Sequence, residues 1–166
     1  MHMLRRFFAL CVLIPLLTQC SRVNWYEALA SGDTGRIGAV LDEGADINRA
    51  CRIIHYEGFT MTLAPLHQAV CCYVGGFPGH EEKGVEVVRY LISCGADVNA
   101  RIPEDGRTPL HLAAGSCEGI VAPLLYAALL EAGADATIRD KWGKTPPEVR
   151  REAEMMREEC GSVCPE

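Results

Sequence analysis

At 166 residues, with 49% hydrophobic and 23% charged side chains, the chain is long enough for one domain around a continuous core and too apolar for wholesale disorder. Sixteen Lys and Arg stand against 22 Asp and Glu, a formal charge of -6. With no basic stripe along the chain, nucleic acid is not an expected partner.

Residues 1–20 read differently from everything after them. Arg5 and Arg6 precede an apolar run from Phe7 to Leu17, broken only by Pro15 and followed by Thr18-Gln19-Cys20. That layout predicts a secretory signal segment, because the run is too short to span a bilayer comfortably. A buried N-terminal helix is the competing reading. Two processing routes fit. Leu17-Thr18-Gln19-Cys20 resembles a bacterial lipobox, which implies lipidation of Cys20, although Gln19 stands where that motif takes a small residue. Ser21 after the cysteine would then imply outer-membrane sorting. Ordinary signal-peptidase cleavage near Cys20 would instead release a soluble protein.

Further along, the sequence repeats itself. Three segments align: Val40 to Asn48, Leu91 to Asn99 and Leu129 to Thr137, each carrying Gly-Ala-Asp at its centre. A second motif precedes two of them, as Ala64-Pro-Leu-His-Gln-Ala69 and Thr108-Pro-Leu-His-Leu-Ala113, and a fragment recurs at Gly143-Lys-Thr-Pro146. Thr108 is suited to cap a helix by accepting from a free backbone N–H. Pro65, Pro109 and Pro146 fit the first helical position, where a missing N–H costs nothing. Leu66 and Leu110 are expected in the core. Gly44, Gly95 and Gly133 fit left-handed helix ends, and the Asp and Asn that follow favour turns.

These residues resemble the ankyrin repeat. The resemblance implies an all-α repeat solenoid of about four helix-turn-helix units with projecting β-hairpin or loop fingers, over residues 22–160. The units fall at about 22–48, 49–100, 101–137 and 138–160, with a C-terminal tail at 161–166. The first begins Asn24-Trp25-Tyr26-Glu27-Ala28, as an N-terminal cap. The second is expanded at its finger and again at the Gly/Pro-rich stretch from Cys71 to His80. In the third, Pro123 opens helix two. In the fourth, Pro147 replaces the core leucine and Arg150 the small alanine, and the charged run Arg150 to Glu159 suits a solvated terminal helix.

His67 and His111 occupy the motif's histidine position, which implies a structural role in hydrogen bonding backbone. His55 and His80 have no ligand-spaced partner. Of the nine cysteines, Cys71, Cys72 and Cys117 fall at the ends of neighbouring first helices. That register predicts a bridge from Cys71 or Cys72 to Cys117, and Cys160 and Cys164 are expected to pair locally, as suits an oxidising compartment. Cys71-Cys72 and Cys160-x3-Cys164 lack a matching second pair for zinc. No metal, cofactor or phosphate-binding loop is expected. No cysteine carries a recognisable base beside it, so no catalytic residue is assigned and the chain is not expected to be an enzyme.

The resemblance further implies a concave surface of fingertips and inner helices that grips another protein. The fingertips are residues 49–62, 101–107 and 139–144. The expected contact residues are Arg52, Tyr56 and Phe59 on the first, Arg101 and Arg107 on the second, and Arg139 and Trp142 on the third, since aromatic and arginine side chains dominate interfaces. Packing of Ile53, Ile54 and Phe59 within a long hairpin is the alternative for the first finger. The expected function is protein binding in a bacterial cell envelope, in the periplasm or anchored at the outer membrane through Cys20, as an immunity protein or a periplasmic enzyme partner. A self-associating envelope scaffold and a secreted host-directed effector are the alternatives.

Overall fold

A computed structural model describes residues 25–54, 60–74, 80–115 and 122–161, with the backbone alone at 52–54, 60 and 159–161. In chain order these form α1 (Trp25–Ser31), α2 (Thr34–Asp42), a hairpin of β1 (Cys51–Ile54) and β2 (Thr60–Leu63), α3 (Pro65–Tyr73), α4 (His80–Ser93), α5 (Pro109–Ala114), α6 (Pro123–Glu131) and α7 (Pro146–Gly161). Helices α1, α3, α5 and α7 pack successively on one another, while α4 and α6 pack together behind α3 and α5. Units one to three thus each supply a helix pair, and unit four supplies α7.

The helix ends follow from the sequence. Proline stands at the start of α3, α5, α6 and α7, where it has no intrahelical N–H to lose. The second helices end on Gly44, Gly95 and Gly133 with φ of 87°, 95° and 90°. A Cβ at any of the three would meet nothing within 4 Å, so glycine is required there by backbone conformation and not by space. At the head of α7, Thr145 donates its N–H and hydroxyl to Glu148 Oε2 at 2.8 and 2.9 Å.

The units are stitched by a repeated side chain. Asn48 accepts the N–H of Asp97 at 2.8 Å and donates to the Gly95 carbonyl at 3.0 Å. One unit later, Asn99 accepts the N–H of Asp135 at 2.8 Å. Thr137 holds the third such position and turns back to donate to Asp135 Oδ1 at 2.6 Å, so the asparagine ladder ends with unit three.

The core runs through the rows of helices. Leu66 and Leu110 are 1% and 0% exposed, as the motif predicts, and Val87, Val88, Leu91, Leu125 and Leu129 join them from the second helices. Removing such a leucine costs about 2–5 kcal/mol. Tyr73 is equally buried and donates its hydroxyl to the Leu29 carbonyl at 2.6 Å, tying unit two to unit one.

Two details refine the expectations. The fingers are not alike: among the described residues only unit two forms strands, paired antiparallel with Arg52 opposite Thr62, whereas the fingers of units three and four are tight turns. Unit two has the extra residues that a ladder needs, and the shorter fingers close on a single aspartate. At the head of α5, Thr108 and His111 form a reciprocal capping box: the Thr108 side chain faces the His111 backbone N–H, the His111 ring accepts the Thr108 N–H at 3.1 Å, and the Thr108 hydroxyl lies 2.9 Å from that ring.

Candidate protein-binding surface

The short fingers are built on buried aspartates. In unit three, the Ile102 N–H bonds the Arg107 carbonyl at 2.9 Å, and Asp105 accepts both the N–H and Nε of Arg107, at 3.0 and 2.6 Å. In unit four, Asp140 accepts the N–H groups of Trp142 and Lys144, both at 2.9 Å. A carboxylate two residues ahead of a free amide makes this turn locally.

The two fingers are joined side by side. Lys141 donates its N–H to the Asp105 carbonyl at 2.8 Å, and Arg101 Nη2 reaches the Arg139 carbonyl at 2.8 Å. Arg139 in turn bonds the Gly143 carbonyl and pairs with Glu148 at 3.3 Å. The long hairpin is drawn in as well, through Thr62 Oγ1 to Glu104 Oε1 at 2.6 Å.

At the tip stands Trp142, 59% exposed. Lys141 Nζ lies 4.5 Å from its ring centroid and the Arg107 guanidinium 6.0 Å, within range of the attraction between a cation and an aromatic face. The indole is therefore held in place while most of it faces solvent. An exposed tryptophan among arginines is the composition that dominates protein interfaces.

Of the residues expected to contact a partner, Arg101, Arg107, Arg139 and Trp142 come together on this surface. Arg52 lies in β1, while Tyr56 and Phe59 lie outside the described residues, as do Cys20, Cys117 and Cys164. Cys71 is exposed and Cys72 half-buried in the last turn of α3, and Cys160 lies in the last turn of α7. Sequence reasoning passed over Lys141 and Glu104, although the Asp-x-Arg at 105–107 and Asp-x-Trp at 140–142 signal the turns that place them. Arg150, noted as out of place in the motif, lies 5.1 Å over the Tyr126 ring.

Both motif histidines are buried, beside the backbone of the fingers. His111 accepts the Thr108 N–H on Nδ1 at 3.1 Å. Nε2 therefore carries the proton and meets the Lys144 carbonyl of the next unit at 3.1 Å. Burial holds its pKa below the ordinary histidine value. Burial lowers His67 further, to about 4, partly offset by the nearby backbone of Arg107 and Ala100. Neither His67 nitrogen completes a hydrogen bond among the described residues. Both imidazoles are thus neutral packing groups at neutral pH.

Paired helices in a repeated stack, with fingers projecting an exposed aromatic and basic surface, define a protein-binding repeat scaffold. The particular family follows from comparison: a profile for ankyrin repeats in three copies matches residues 38–140, and the chain belongs to the ankyrin-repeat family. It is 39% identical over 97 residues to protein fem-1 homolog A of Bos taurus, covering 56% of this chain and 13% of that protein. It is also 36% identical over 77 residues to the neurogenic locus Notch protein of Drosophila melanogaster, 46% of this chain and 3% of that one. With the NF-kappa-B inhibitor cactus of the same fly it shares 40% identity over 55 residues, 33% of this chain and 10% of that protein. The chain therefore spans only a small part of each of these relatives. Ankyrin repeats are protein-interaction modules, and that much applies to this chain.

Proposed function

We propose that this chain is an exported module of the bacterial cell envelope that grips a partner protein with its fingertips and concave face, and that it works by binding without catalysing a reaction. The observation that carries the binding surface is Trp142, solvent-facing yet held by Lys141 and Arg107. Neutral histidines committed to packing fit a scaffold better than an acid–base site.

The reading of residues 1–20 as a signal segment supports export, with Cys20 as lipid anchor or lost on cleavage. The high count of nine cysteines supports an oxidising compartment such as the periplasm. In that setting the bridges from Cys71 or Cys72 to Cys117, and from Cys160 to Cys164, would tie down the loops and the terminus. An immunity role or partnership with a periplasmic enzyme would each use the same grip.

The test is affinity capture from the native envelope with the full chain, comparing wild type with a variant carrying Arg101→Ala and Trp142→Ala, and weighing the bait's N-terminus by mass spectrometry. The expected result is a dominant prey held by wild type and lost by the variant, from a bait cut at or before Cys20. An uncut bait would overturn the export reading. A prey held equally by both proteins would move binding off the fingertips.

A further inference from the structure

The charges on the paired fingers of units three and four are not balanced at the surface. Their acidic residues are largely spent inside. Asp105 is 4% exposed and engaged by Arg107, and Asp140 is 7% exposed and holds the amides of Trp142 and Lys144. Glu104 is exposed but accepts the Thr62 hydroxyl. The basic residues are spent outside: Arg101, Arg139 and Lys141 are all exposed, and Arg107, with 20% of its side chain exposed, lies beside them. A chain of net charge -6 thus presents a locally cationic tip.

That tip also keeps donors in hand. A guanidinium carries five N–H groups and an ammonium three. Arg101 commits Nη2 to the Arg139 carbonyl, Arg139 commits Nη1 to Gly143 and Glu148, and Lys141 Nζ makes one long contact, 3.4 Å, to the Glu104 carbonyl. Those contacts fix where the side chains lie without exhausting them, which lowers the ordering cost of meeting a ligand. Trp142 adds the apolar anchor at the centre.

We infer that this surface docks an acidic segment of the partner protein, with Asp or Glu carboxylates meeting Arg101, Arg139, Lys141 and Arg107 and one apolar side chain seated on the Trp142 ring. The inference rests on the binding-module reading above and names the chemistry of the segment it would hold. Carboxylates suit the guanidinium fork, and their field complements the tip. A polyphosphate backbone suits it less, because an extended phosphate run would leave this small cationic patch for the acidic remainder of the chain.

The experiment selects a display library of short random peptides against the whole folded chain, then measures the selected peptides by fluorescence anisotropy against wild type, Trp142→Ala and Lys141→Glu. Both substitutions fall on exposed side chains, and the melting temperature of each variant is measured to check that the stack is intact. The expected peptides combine Asp or Glu with an apolar residue. They weaken by about tenfold or more with either substitution and weaken as salt rises. Neutral or basic peptides, or acidic ones indifferent to both substitutions, would overturn the inference while leaving the binding module standing. An oligothymidylate that binds more tightly than any selected peptide would also overturn it, in favour of nucleic acid. No selected peptide would overturn it too, and only with an empty envelope capture would the binding-module reading fall as well.

Discussion

Glu81, in the first turn of α4, accepts the backbone N–H groups of Leu124 and Leu125 at 2.6 and 3.1 Å, so the start of helix α6 is capped from the preceding unit. The local sequence supplies no cap: Ala122 stands at the N-cap without a side-chain acceptor, and Pro123 follows it. The carboxylate also sits at the positive end of the helix dipole. Coupling between units two and three therefore includes a charge-assisted bond bridging more than forty residues of sequence.

Glu81→Ala is expected to destabilise the stack by about 1 kcal/mol, the usual cost of a lost cap, read as a lower urea midpoint. A midpoint unchanged within error would mean that water serves those amides equally well.

Ala64→Thr is expected to stabilise. Thr108 places its hydroxyl 2.9 Å from His111 Nδ1, whereas Ala64 at the matching position has no hydroxyl to offer His67 Nδ1, which is without a hydrogen bond among the described residues. Supplying the hydroxyl should add about 0.5–1 kcal/mol. A lower melting temperature would show that the pocket around residue 64 has no room for the extra atoms.

Stability should fall with acid in the histidine range. His67 titrates at about 4 when folded and near 6.5 when unfolded, so the unfolded chain takes up the proton first. Its contribution is complete above about pH 6.5 and is lost as pH falls from there toward 4, with a limiting slope near 1.4 kcal/mol per pH unit. His111, also lowered by burial, acts with the same sign. The bonds from Thr137 and Thr145 lower Asp135 and Glu148 respectively, so those carboxylates matter only at more acidic pH. Urea midpoints from pH 7 to 5 should decline, and decline less in His67→Gln. Flat midpoints would contradict the burial of a neutral imidazole.

Gly84→Ala should be far costlier than helix propensity suggests. A Cβ there would lie 2.5 Å from Tyr73 Cβ and 2.7 Å from its Cγ, and Tyr73 is held by its bond to Leu29. Overpacking of this kind costs about 1–3 kcal/mol, against the gain of about 1 kcal/mol that alanine offers in an open helix. A raised melting temperature would show that Tyr73 can move aside.

Much of the stack was legible in the sequence because its rules are local. Proline at helix starts and glycine at left-handed ends each act within one turn, and the repeated Gly-Ala-Asp sets the register of whole units. The cationic tip was half legible. Arg101, Arg107, Arg139 and Trp142 stood out by composition, but their meeting depends on Lys141 bonding Asp105 from the neighbouring finger. The cap from Glu81 and the close fit of Tyr73 against Gly84 were not legible, because each joins residues whose proximity only the packed helices create. The difference between a laddered finger in unit two and tight turns elsewhere lay in the extra length of that finger, which gives no register by itself.

The most direct test of the central claim is site-specific photo-crosslinking in the native envelope, with a photoreactive residue placed at Trp142 in one protein and at Leu124 in another. Leu124 is also exposed, at 45%, but lies on α6 and away from the fingers. The account predicts a discrete adduct with another protein from position 142 and none from position 124. An adduct from 124 alone would contradict it and place binding on the second helices.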